Sequence, residues 1–148
     1  MQKLPRLLFA LSLVFVAQIS VYACSCGDLD IPLSQKVAGW LRSSNAVFSG
    51  EAIKLEKIPG TRDLVATFAV DEFWKGDIAP TIEIRTSMDG ASCGYDFKIG
   101  TSYLVYAFKQ PRALTTGLCG GNRPRYDKSR EDDIKFLGKG KPPKKRST

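Results

Sequence analysis

Four cysteines stand at positions 24, 26, 93 and 119, and the first two are separated by a single serine. Side chains two apart in an extended segment share a face, so Cys24 and Cys26 can both turn inward and be captured by two neighbouring segments. A bridge between them would be strained. It would also forgo most of the benefit of cross-linking, because closing a loop of about 70 residues removes roughly 4 kcal/mol of unfolded-state freedom in the chain-entropy model. Of the three possible pairings, spacing therefore leaves two, and both tie this short segment to a loop at Cys93 and a strand end at Cys119.

What precedes Cys24 bears on whether such bridges can form. Lys3 and Arg6 are followed by an almost wholly apolar run from Leu7 to Ala17, and Val21-Tyr22-Ala23 offers small residues at the two positions a signal peptidase reads. Residues 1–23 are expected to be a cleavable signal peptide. A membrane anchor needs about 20 apolar residues, and Gln18 and Ser20 interrupt this run too early. The expected address is secreted or periplasmic, an oxidising compartment that suits two disulfides. A competing reading takes Val21-Tyr22-Ala23-Cys24 as a loose bacterial lipobox, which would make the protein a lipoprotein of the envelope and consume the thiol and the amine of Cys24.

The chain has 22 Lys and Arg against 15 Asp and Glu. Two of the cations, Lys3 and Arg6, lie in the signal, and five, Lys139, Lys141, Lys144, Lys145 and Arg146, lie in the tail Gly138 to Thr148. Residues 24–137 are thus neutral, with 15 charges of each sign. The tail, with Pro142-Pro143, is expected to be disordered and at most weakly attracted to an anionic surface or polymer. A neutral exported domain is a poor partner for nucleic acid. There is no histidine, which removes the usual general base and metal ligand. Asp71 and Glu72, neighbours in a strand, point to opposite faces and cannot form a paired acid and base. No enzyme, no cofactor and no metal site of the protein's own is expected, and Cys-Ser-Cys is read as structural rather than redox or metal-binding.

Leu33, Val37, Trp40 and Leu41 recur at helical spacing after Asp30 and Pro32, which predicts one short helix. Strand patterns then occupy Ala46 to Leu55, Leu64 to Trp74, Thr81 to Thr86, Ser102 to Phe108 and Ala113 to Cys119, separated by turns at Pro59-Gly60 and Lys75-Gly76-Asp77 and by a loop from Ser87 to Gly100. Ser129 with Asp132 resembles a capping box, so a closing helix is predicted from Ser129 to Leu137. Five short strands hide their edges best by curling into a small barrel. Tyr103, Tyr106 and Phe108 are read as strand packing rather than as a base-stacking surface.

Cys24-Ser25-Cys26, Asn45-Ala46-Val47-Phe48-Ser49-Gly50, Phe73-Trp74-Lys75-Gly76, Ser92-Cys93-Gly94, Gly100-Thr101-Ser102-Tyr103-Leu104-Val105-Tyr106 and Gly117-Leu118-Cys119 followed by Pro124 resemble the netrin-like module. The likeness is to the inhibitory N-terminal domain of tissue inhibitors of metalloproteinases, and it runs from Cys24 to about Leu137. It implies a mainly β fold, a five-stranded OB-type barrel with a short helix near each end. It also implies bridges from Cys24 to Cys93 and from Cys26 to Cys119. By the same resemblance the amine and carbonyl of Cys24 would chelate the catalytic zinc of a target metalloendopeptidase, with Ser25 entering its specificity pocket. Cys26, Ala91, Ser92, Cys93 and Gly94 would widen the contact. A monomer is expected. The other class of function open to such a chain is an exported structural or binding module that inhibits nothing.

Overall fold

The computed structural model describes Cys24, Cys26, Gly27 and residues 30–144. The predicted signal peptide, residues 1–23, and Ser25 lie outside the described residues. Six strands follow in chain order: β1 (Ala46–Lys57), β2 (Asp63–Lys75), β3 (Thr81–Ser87), β4 (Ser102–Gln110), β5 (Ala113–Thr115) and β6 (Arg123–Pro124). Helix α1 (Leu33–Ser43) precedes the sheet, and helix α2 (Ser129–Leu137) follows it. The hydrogen-bonded order is β1-β2-β3-β5-β4, and β4 returns to pair with β1, which closes a five-stranded barrel. All contacts are antiparallel except β3 with β5.

Closure rests on β1, which pairs with β2 over its whole length and with β4 from Ala46 to Glu51. Three register shifts along the β1–β2 ladder supply the extra bend that a barrel this small demands. The interior is filled by aromatic rings. Phe68 lies edge-on to Phe48, Phe97 and Tyr103, with centroids 5.0–6.3 Å apart. Phe48 and Phe68 are wholly buried, and burial alone stabilises each by about 2–3 kcal/mol.

Both faces of β1 and β4 are covered. Val47, Leu104 and Tyr106 point away from the barrel interior into a second apolar cluster, closed by Trp40 and Leu41 of α1 and by Ile134 and Leu137 of α2. That explains why Ala46 to Gly50 and Tyr103 to Ala107 are buried without alternation. The C-terminal carbonyls of α1, Leu41 and Arg42, accept hydrogen bonds from Lys75 Nζ at 2.7 and 3.0 Å, a cation where the helix dipole favours one.

Three expectations are corrected. The strand predicted from Ala113 to Cys119 ends at Thr115, and Cys119 sits in a turn beyond it. Thr116 N still donates to Arg85 O of β3 at 3.0 Å, but the chain then turns off β4, with the Thr116 hydroxyl donating to Tyr106 O at 2.8 Å and joining Asn122. The capping box at Ser129 is not made; Asp127 Oδ1 accepts from Ser129 N at 2.8 Å and caps α2 instead. Lastly, the stretch from Gly138 to Lys144 is packed. Phe73 and Lys141 exchange both backbone bonds at 2.8 Å, Trp74 Nε1 donates to Gly138 O at 2.7 Å, and Lys144 N donates to Ile78 O at 2.9 Å. It covers the end of β2 that β3 leaves unpaired.

Candidate functional site

The candidate site is built by two loops that meet at one rim of the barrel. The first runs from Ser87 to Gly94 and is organised by Asp89. Its Oδ1 accepts from Ala91 N at 2.9 Å, its Oδ2 pairs with Arg62 Nη1 at 2.8 Å, and its backbone oxygen accepts from Ser92 N at 3.0 Å. The Ala91 amide, followed by Arg62, holds the Asp89 carboxyl below its ordinary value. The result is a single 3-10 turn over Gly90–Ser92 that delivers Cys93 with φ of 54°, a left-handed backbone that a side chain adopts only under constraint.

The second loop, residues 116–122, is pinned by a buried amide. Asn122 Oδ1 accepts from Tyr106 N at 3.1 Å, and its Nδ2 donates to Thr116 Oγ1 at 2.8 Å and to Gly117 O at 3.1 Å. Leu118 N then donates to Cys93 O at 2.8 Å, so the two loops are joined directly. Gly94 lets the first loop fold back on Ser87, and Gly117 permits the approach of the second. A Cβ on Gly94 would lie 1.9 Å from Ser87 O, and one on Gly117 would lie 2.6 Å from Cys93 O.

Across this rim run the disulfides. Cys24 pairs with Cys93 and Cys26 with Cys119, with Cα atoms 5.5 and 5.3 Å apart. Of the two pairings that spacing leaves open, this is the one the structure holds.

Cys24, Cys93 and Gly94 are half-buried, while Cys26, Gly27, Ala91 and Ser92 are exposed. The bridges therefore bring Cys24 to the loop that carries Ala91, Ser92, Cys93 and Gly94, and they bring Cys26 to a different loop. Ser25, between them in sequence, is among the residues not described. Leu118, half-exposed beside Cys119, adds an apolar side chain to the rim that the sequence reading missed. Its signal was present, since it is flanked by Gly117 and Cys119 and so cannot be far from a bridge.

A cleft of about 560 Å³ opens beside the Cys26–Cys119 bridge, between α1 and the second loop, with Gly27, Ile31, Trp40 and Arg123 in its lining. The Arg123 guanidinium stands 5.4 Å from the Trp40 ring centroid. It is held there by the fully buried Asp133 at 3.1 Å and by Asp127 at 3.7 Å. Burial pushes the Asp133 carboxyl up, and the opposing pull of Arg123 is the smaller effect.

No family model and no curated protein matches the chain. Among the described residues no cluster of His, Cys, Asp or Glu could hold a metal ion, and no helix is long and apolar enough to cross a membrane. Two disulfides are compatible with a secreted or periplasmic protein. What the rim offers chemically is backbone: a short segment fastened at both ends, with exposed residues on either side.

Proposed function

We propose that the exported chain inhibits a zinc metalloendopeptidase by laying its Cys24 start on the target's catalytic zinc. Removal of residues 1–23 would free the amine of Cys24. That nitrogen and the carbonyl oxygen of the same residue form a five-membered chelate, which suits the coordination position that a catalytic zinc keeps open for water or substrate. A terminal amine with a reference value of about 7.7–8.0 is partly unprotonated at neutral pH, so the lone pair is accessible. Ser25 would follow into the pocket beside the metal, and Cys26, Ala91 and Ser92 would meet the rim of the target's cleft.

The observation that carries this reading is the double fastening. Cys24 and Cys26 are bridged to two loops that are themselves joined through Cys93 O and Leu118 N. A segment tethered at both Cys24 and Cys26 has less freedom to lose on binding than an untethered terminus, which favours insertion into a cleft. The resemblance of Cys24-Ser25-Cys26 and Ser92-Cys93-Gly94 to the inhibitory module supports the same assignment.

The test compares the mature chain beginning at Cys24 with one carrying a single extra alanine ahead of it, across a panel of zinc endopeptidases. Intact mass first establishes an unmodified Cys24 and the loss of four hydrogens to two bridges. The expected result is inhibition of at least one enzyme by the mature chain and a loss of that inhibition by about 100-fold or more in the extended one, the size of a lost charge-assisted or metal contact. Equal inhibition by both forms refutes the chelate. A panel left untouched by the mature chain refutes the inhibitor.

A further inference from the structure

The two disulfides differ in what can reach them. Both cysteines of Cys26–Cys119 are exposed, whereas both of Cys24–Cys93 are half-buried. Cys93 also sits where two loops meet: its carbonyl accepts from Leu118 N at 2.8 Å, and a Cβ on the next residue, Gly94, would lie 1.9 Å from Ser87 O.

The cleft of about 560 Å³ opens on the exposed bridge, and both Cys26 and Cys119 belong to its lining. In the wall formed by α1, Gly39 carries no side chain, and a Cβ placed there would meet nothing within 4 Å beyond its own helix. A thiolate opens a disulfide by attacking one sulfur while the other leaves, so the reaction needs an exposed sulfur and room beside it. Cys26–Cys119 has both.

Opening this bridge leaves the loop that carries Cys119 in place. Asn122 holds that loop through Tyr106 N, Thr116 Oγ1 and Gly117 O, and Leu118 N holds it to Cys93 O. Cys24 stays fastened to the first loop by Cys93. What is released is Cys26.

We propose that Cys26–Cys119 is a thiol–disulfide exchange site, approached through the cleft and opened by a dithiol ahead of Cys24–Cys93. The inference stands whether or not the chain inhibits a protease. One thiolate of the dithiol attacks a bridge sulfur; the S–S bond breaks, and its electron pair leaves on the other protein sulfur, which takes up a proton. The second thiol of the dithiol then loses its proton and displaces the first protein sulfur from the mixed disulfide. The dithiol ends as a disulfide, oxidised by two electrons, and Cys26 and Cys119 end as two thiols. The product keeps Cys24 fixed and Cys26 free, and a small-molecule disulfide reverses both steps.

The experiment treats the folded mature chain with dithiothreitol in limiting amount, traps free thiols with iodoacetamide at intervals and locates the label by peptide mass mapping. Label is expected on Cys26 and Cys119 about tenfold sooner than on Cys24 and Cys93, the order that exposure dictates. Gly39→Leu, which projects a side chain into the cleft, is expected to slow labelling of the first pair by about threefold through reduced access and to leave the second pair unchanged. A thermal melt by circular dichroism matching that of the native chain establishes that the variant folds, and the native labelling order decides the proposal without it. Equal rates for the two pairs, or earlier label on Cys24 and Cys93, overturn the exchange site. A folded Gly39→Leu chain that is labelled at the native rate overturns the approach through the cleft. Loss of the cooperative melt when only Cys26 and Cys119 are labelled overturns the release of Cys26 from an otherwise intact fold.

Discussion

Opening either disulfide alone is expected to cost the fold the same amount, although the bridges span different lengths. Taken separately, Cys24–Cys93 and Cys26–Cys119 enclose 69 and 93 residues of separation, worth about 4.4 and 4.7 kcal/mol in the chain-entropy model. With one bridge in place, however, the other closes only the short circuit through both cross-links. That circuit is the stretch from 93 to 119 and the step from 24 to 26, about 28 residues in all, worth about 3.6 kcal/mol. It is the same circuit whichever bridge is cut. Cys24→Ala with Cys93→Ala and Cys26→Ala with Cys119→Ala should therefore lose about 3.6 kcal/mol each, and removal of all four cysteines about 8. A domain of this size has a total stability of about 5–15 kcal/mol, so each single-bridge variant stays folded and the bridge-free chain becomes marginal or unfolded. Guanidinium unfolding followed by tryptophan fluorescence reads all three. A difference of more than about 2 kcal/mol between the single-bridge variants, or costs that add to the sum of the two long loops, would refute the shared-circuit argument.

Two further substitutions test the rim and its support. Asn122→Ala removes three hydrogen bonds and strands Tyr106 N in the interior, so urea unfolding should show a loss of about 2–4 kcal/mol; a loss below about 1 kcal/mol would mean that the amide does not pin the second loop. Asp133 is raised above its ordinary value of 3.8 by burial, so its protonated form favours the fold, a contribution fully present below pH 3.8 and lost as the pH climbs through the raised value. Against Asp133→Asn, which does not titrate there, the native chain should lose stability as the pH rises from about 3.8 towards neutrality; a relative gain over that range would show that the Arg123 pair outweighs burial.

Local pattern and long-range contact divide what could be read from the sequence. Val37, Trp40 and Leu41 share a helical face because burial selects one stripe of α1, and the 3.6-residue period records that choice. The period-two run from Thr81 to Thr86 places Ile84 wholly inside for the same kind of reason. Where the deciding partner lies far away, the pattern misleads. Ala113 to Cys119 reads as one strand, yet after Thr116 the chain turns off the sheet into a loop pinned by Asn122, and no local rule contains Asn122. Gly138 to Lys144 reads as too polar to pack, and its side chains are indeed mostly exposed. What holds it is backbone pairing with Phe73, a bond that any non-proline residue can make and that composition therefore cannot register. The candidate rim obeys the same division. Its cysteines are visible at once, since only their chemistry closes the chain on itself. The side chains that aim them, Asp89 in one loop with Arg62 reaching it from the turn before β2, and Asn122 with Thr116 in the other, are ordinary polar residues whose roles exist only after the barrel has closed. A rim assembled this way owes the position of Cys24 to groups in several separate loops, so substitutions remote in sequence from the cysteines should displace it as surely as substitutions beside them.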